Sequence, residues 1–96
     1  MCENVANTNR IEGDNGISVE ILGRGGICYR EGTHQMLVDS EFLVLGSQYD
    51  IVLYTRSVRR WQPPYADELV SDAKHRQIIA EICELLRSSG MKVDLD

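Results

Sequence analysis

Apolar and polar residues alternate along several short stretches of the chain. Ile17, Val19 and Ile21 are separated by Ser18 and Glu20, the period-two pattern of a half-buried strand. Residues 23–26, Gly-Arg-Gly-Gly, break that pattern, and residues 27–30 read as the returning strand before a turn at residues 31–33. A third extended stretch covers about residues 35–45, with Asp39, Ser40 and Glu41 as a bulge or corner inside it. After a turn at 46–48, residues 50–55 are rich in β-branched and aromatic side chains and predict a fourth strand. Connections this short favour antiparallel pairing, because a parallel crossover needs a dozen or more residues.

The pattern changes at Arg56. Residues 57–61 fit one tight helical turn, stopped by Pro63 and Pro64, since proline lacks an amide donor and restricts its predecessor. Ser71 is placed as an N-cap, with Asp72 near the positive end of the helix dipole, and residues 72–89 follow as a helix. Stepping 100° per residue puts Ile78, Ile79, Ile82, Cys83, Leu85 and Leu86 in one arc, and leaves Gln77, Glu81, Glu84 and Arg87 outside it. Gly90 sits where a helix-ending glycine belongs, and residues 91–95 alternate again as a last strand. Residues 1–16 show no sustained period and predict a mobile arm, leaving residues 17–96 as one domain. The expected fold is α+β: a small, mostly antiparallel sheet of four to five strands with one long C-terminal helix packed on a face. Trp61 is expected to fill the gap between sheet and helix.

Composition narrows the partners. With 96 residues, 43% of them hydrophobic, the chain can bury a core without a disulfide framework or a metal. It carries no apolar run long enough for a membrane span and no secretory pattern at its start, so a cytoplasmic protein without a membrane partner is expected. Fifteen acidic residues against ten basic give a net charge of −5, which argues against direct binding of nucleic acid. The same excess suits a basic protein partner, or simply keeps the chain soluble. Cys2, Cys28 and Cys83 are widely spaced with no C-x-x-C pair, and His34 and His75 complete no zinc spacing. Three reduced thiols, and no metal or cofactor, are expected.

Four clusters invite chemistry. The glycines at 23, 25 and 26 resemble a phosphate loop only superficially, because a strand follows where a helix N-terminus is required. Cys28 and His34 span a hairpin and could be imagined as nucleophile and base, but no third orienting group is visible. Asp39 and Glu41, two apart, fit a polar corner whose carboxylates satisfy turn amides better than an acid–base pair. Arg56, Arg59 and Arg60 beside Trp61 form the basic cluster, a weak nucleic-acid footprint on an acidic protein.

Several of these residues form an ordered set: Val38-Asp39-Ser40-Glu41, Tyr54, Ser57-Val58-Arg59-Arg60-Trp61, Pro63-Pro64, the acidic Asp67-Glu68, the helix from Asp72, and Val93 to Leu95. Over roughly residues 17–96 this set resembles a family of small bacterial immunity proteins, encoded beside polymorphic toxins of the contact-dependent or type VI secretion kind. The resemblance implies a cytoplasmic, non-catalytic protein that binds a cognate toxin domain stoichiometrically and blocks its active site or another essential surface. If that toxin is a nuclease, its phosphate site is basic and an acidic inhibitor suits it. In this frame Asp39, Glu41, Tyr54, Arg60, Trp61, Pro63 and Pro64 look fold-keeping. Recognition is expected on acidic and aromatic positions outside the motif: Tyr65, Asp67, Glu68 and Asp72 in the linker and helix start, and Glu81 and Glu84 on the outer side of the helix. Two other readings stay open, a cytosolic adaptor or regulatory domain using the same acidic surface, and a small thiol-dependent enzyme centred on Cys28.

Overall fold

The computed structural model describes residues 10–22, 26–44 and 46–96. Four strands, β1 (Arg10–Glu12), β2 (Ile17–Ile21), β3 (Ile27–Glu31) and β4 (His34–Val38), form an antiparallel meander in that order. Three more, β5 (Ser40–Phe42), β6 (Ile51–Leu53) and β7 (Val93–Leu95), form a second sheet in which β7 runs parallel to β6. The long helix α1 (Asp72–Ser88) supplies the crossover that this parallel pairing requires. The architecture is therefore α+β, as its pattern predicts, with the strands shared between two sheets rather than joined in one.

The division falls at Asp39. Its backbone N–H donates to Ser57 Oγ at 2.8 Å and its carbonyl accepts from the Tyr54 N–H at 3.0 Å. Both groups are thus used locally, and the chain leaves the first sheet and enters the second. Glu41 lies just beyond the break, where its carboxylate accepts the Tyr54 hydroxyl at 2.7 Å. A continuous strand over 35–45 is replaced by two short ones, because the pairing partner changes while the extended pattern does not. The tight turn expected at 57–61 forms earlier, as a 3-10 turn over Thr55–Ser57, where Ser57 Oγ donates to the Tyr54 carbonyl.

One face of the meander carries the core. Cross-strand registry aligns Ile11, Val19, Tyr29 and Met36 in one row, and Ile21, Ile27 and Val38 in the next. They join Ile78, Ile82 and Leu86 of α1 and Ile51, Leu53 and Val93 of the second sheet in one cluster. The helix has the expected phase and start: Ile78, Ile82, Cys83 and Leu86 are buried, and Ser71 Oγ accepts from the Lys74 N–H. Burying such a face, at about 25 cal/mol per Å² of apolar surface, is what holds a helix of this length to a sheet.

Trp61 is 5% exposed and ties the segment between β6 and α1 to the meander. Its ring stacks on Tyr29 with centroids 6.3 Å apart and meets His34 edge-on at 4.9 Å; His34 in turn stacks on Tyr65 at 3.7 Å. The next residue, Gln62, donates its N–H to the Gln35 carbonyl at 2.8 Å, along β4. Pro63 and Pro64, joined by a cis peptide bond, follow as an exposed turn.

Three expectations need correction. Arg10–Glu12, expected in a mobile arm over residues 1–16, is a strand: with a single apolar residue it shows no period, and pairing with β2 supplies its order. Residues 1–9 lie outside the described residues, as do residues 23–25 of the expected hairpin turn. Strand β2 is not half-buried: Ser18 and Glu20, on the face away from α1, are 2% and 4% exposed. Glu20 is balanced there by Arg30, with Nη1 and Oε1 2.6 Å apart. Finally, Cys28 on that same face is disulfide-bonded, not a reduced thiol. Sequence spacing does not limit which cysteines meet, because bridging requires only Cα atoms within about 7 Å in the folded chain. Cys83 is a free thiol.

Trp61→Ala is expected to cost ~3–5 kcal/mol, as for other large core aromatics; an unchanged midpoint in urea unfolding would contradict its place in the core. Arg30→Met alone leaves Glu20 buried without its counter-ion and is expected to cost ~3–5 kcal/mol, whereas Glu20→Leu with Arg30→Met should recover most of that loss. Equal losses in the single and double variants would show that the ion pair is not what matters at this position.

Candidate functional site

The turn between β1 and β2 lies against α1. Its Gly13 N–H donates to the Ile17 carbonyl at 2.8 Å, and a Cβ at Gly13 would stand 2.9 Å from Leu85 Cδ2. This close approach sets Glu12 and Asp14 across from Glu81 and Glu84, around a cleft of about 400 Å³. No lysine, arginine or histidine among the described residues lines it. Glu12 has one exposed counter-ion nearby, Arg10 at 3.0 Å, of the kind that contributes little in solvent. Glu84 is exposed, while Glu81 is half-buried rather than fully turned to water, because the β1–β2 turn packs beside it.

The six expected recognition residues do not form one site. Tyr65 and Glu68 brace His34 instead: the Tyr65 ring stacks on it, and Glu68 Oε1 lies 3.0 Å from its Nε2. The Tyr65 hydroxyl also reaches Thr33 Oγ1 at 3.1 Å. Asp67 and Glu68 line a shallow depression with Arg59 and Arg60, so this acidic stretch faces two guanidinium groups. Asp72 is the exposed first residue of α1. Only Glu81 and Glu84 lie in the acidic cleft, and its other two carboxylates, Glu12 and Asp14, were hidden in a segment without periodicity. Arg60 is exposed and forms no ion pair within 4 Å among the described residues.

Between these two regions runs a buttress from sheet to helix. Lys74 Nζ donates to both oxygens of Glu31 at 2.8 Å, and the Tyr29 hydroxyl donates to Glu31 Oε1 at 3.0 Å. Burial acts to raise the Glu31 pKa, but the hydrogen bonds from Lys74 and Tyr29 and the charge of Lys74 outweigh it and hold the carboxyl below its ordinary value. For Tyr29, burial first, then the Glu31 carboxylate, then the charge of Glu81 push the phenol far above its ordinary value, so it stays a neutral donor.

The arrangement does not assemble the imagined thiol site. Cys28 pairs in register with Leu37 and His34 with Glu31, which puts Cys28 on the face away from α1 and His34 on the opposite one. Cys28 is also fully buried and oxidised. Trp61 is buried and cannot stack on a base, and of the neighbouring arginines Arg59 and Arg60 share their depression with Asp67 and Glu68. Among the described residues no three His, Cys, Asp or Glu side chains converge as a metal requires, and no helix is long and apolar enough to cross a membrane.

The described residues thus form an α+β domain with an acidic cleft beside its long helix. The chain belongs to the Immunity protein 74 family, whose model matches residues 18–96. An immunity family implies a toxin as partner in general terms and is, as a class, non-enzymatic. Glu12 and Asp14, half of the acidic cleft, precede the matched stretch. No curated protein and no solved structure matches the chain.

Because the folded Glu31 carboxyl lies below its unfolded value of 4.5, its contribution to stability is present above that pH and lost as pH falls through the folded pKa. For a partly exposed pair the contribution at neutral pH is on the order of 1 kcal/mol or less. Glu31→Gln is expected to be slightly less stable at pH 7 and to lose less stability than the wild type between pH 5 and about pH 3. Parallel acid limbs in denaturant titrations of the two proteins would contradict this.

Proposed function

We propose that this protein neutralises a cognate bacterial toxin by binding it tightly and stoichiometrically in the cytoplasm, and that the acidic cleft beside α1 seats a basic part of that toxin. The family match over residues 18–96 carries this reading. The net charge of −5 and the four carboxylates around one cleft support it. A toxin that acts on nucleic acid has a basic surface for phosphate, and an acidic inhibitor is both steered to it and complementary to it. The toxin would be one delivered by contact-dependent or type VI secretion and encoded beside this gene. Asp67, Glu68 and Asp72, partly offset by Arg59, Arg60 and the helix start, are expected to contribute less than the cleft.

The test is co-expression followed by binding of the purified pair. Cells making the toxin encoded next to this gene should survive only with this protein, and the pair should co-elute at one to one. Raising salt from 50 to 500 mM should slow association at least tenfold, because steering is screened beyond a Debye length of ~8 Å at physiological ionic strength. Glu12→Lys, Asp14→Lys and Glu84→Lys together, all at exposed positions, should weaken the complex at least tenfold, and more than reversal of Asp67, Glu68 and Asp72. A purified pair that forms no complex would defeat the reading; a complex that ignores both salt and the cleft reversals would defeat the cleft's part in it.

A further inference from the structure

The other flank of α1 is open as well, and its character is opposite. A groove of about 900 Å³ runs between the helix and β7, with Ile79, Ala80 and Cys83 on one side and Leu95 on the other. Leu95 is 45% exposed although it lies two residues from the buried Val93 and so on the same face of its strand. Burial raises the Cys83 pKa while Arg87 lowers it, and the net rise keeps a neutral thiol in the groove wall. Arg76 and Arg87 stand at its rim, neither within 4 Å of a carboxylate among the described residues, and Glu84 is the one acidic residue lining it.

The groove adjoins a sheet edge that no strand among the described residues covers. In the order β5-β6-β7, β7 is outermost. The Lys92 carbonyl accepts from the Ile51 N–H, and the Asp96 N–H donates to the Leu53 carbonyl, so the even-numbered residues bond towards β6. By strand alternation the N–H and C=O groups of Val93 and Leu95 point outward. The Leu95 N–H is held by the neighbouring Asp94 Oδ1 at 3.0 Å, a side-chain clip where a strand would otherwise bond. An added strand would lie on this edge with alternate side chains against Ile79, Ala80, Cys83 and Leu95. Arg76 and Arg87, three helical turns apart, are separated by about 16 Å along the axis, the length of about five extended residues.

We propose that this groove and edge receive an extended segment of the toxin, apolar at alternate positions and bearing carboxylates about five residues apart, added as a fourth strand beside β7. The proposal rests on the toxin-binding reading above. Main-chain pairing supplies affinity, the apolar positions fill the groove, and the two guanidinium groups fix the register. The toxin thereby straddles α1, with a basic part in the acidic cleft on one flank and this segment on the other.

The test uses the full chain and the purified toxin domain encoded beside it. Ala80→Glu, which places bulk and a like charge in the groove at an exposed helical position, should weaken the complex at least tenfold with its thermal midpoint unchanged. Arg76→Glu with Arg87→Glu should do the same independently. Hydrogen exchange should show the Val93 and Leu95 amides more protected in the complex than in the free protein, where only the Asp94 side chain holds the Leu95 N–H. If the wild-type pair forms no complex, the toxin reading falls and this proposal with it. If the pair forms and both groove variants bind like wild type, the groove proposal alone is overturned. Loss of binding without protection of those amides overturns strand addition. A free chain that dimerises, and is made monomeric by Ala80→Glu, assigns the groove to a second copy instead.

Discussion

The aromatic series Tyr29–Trp61–His34–Tyr65 is the constraint on which the arrangement depends. The segment between β6 and α1 carries two prolines and little regular structure, so backbone pairing alone would hold it loosely. Stacking against the meander fixes where that segment ends, and therefore where α1 begins and which rows of the sheet it covers. The parallel pairing of β7 with β6 follows, since the last strand can reach β6 only after the helix has crossed the core. Rings in contact supply more than their buried area, about 0.5–1.5 kcal/mol per pair, and they supply it in one orientation.

Sequence periodicity reveals what a single element decides for itself. The helix phase from Ile78 to Leu86 and the β-branched strand at Ile51–Leu53 are of this kind, as is the N-cap at Ser71. It fails where the outcome depends on what arrives from elsewhere. The chain looks equally extended on both sides of Asp39, yet the strands on either side belong to different sheets because Ser57 and Tyr54 occupy the Asp39 backbone. Ser18 and Glu20 read as solvent-facing because alternation reports polarity and not cover. The acidic cleft was half visible for the same reason: Glu81 and Glu84 announce themselves on a helix, whereas Glu12 and Asp14 gain meaning only once their turn packs against Leu85. Tyr65 and Glu68 look free in sequence, and His34 engages both.

Helix α1 divides the surface into two unlike halves. Its β1-side flank is lined with carboxylates and its β7-side flank with aliphatic groups between arginines, while Glu84 and Ser88 border both. A single amphipathic helix normally presents one apolar and one polar face. Here a second partition, of charge, runs along the exposed part, so that one element offers two chemically distinct contacts a helix-width apart.

The buried ion pair between Glu20 and Arg30 has a consequence for strand alignment. Alternating apolar residues forbid β2 from slipping against β3 by one position, because every side chain would change faces. They do not forbid a slip by two, which keeps Val19 and Tyr29 on the core side and merely gives them new neighbours. Because Glu20 lies opposite Cys28 and diagonal to Arg30, a slip by two in one direction would move the charges further apart and leave both buried, at a cost of several kcal/mol, whereas in the other direction it would set them directly opposite. An interaction that adds little to net stability can thus act as a one-way stop, excluding slippage in one of the two directions that hydrophobicity leaves open.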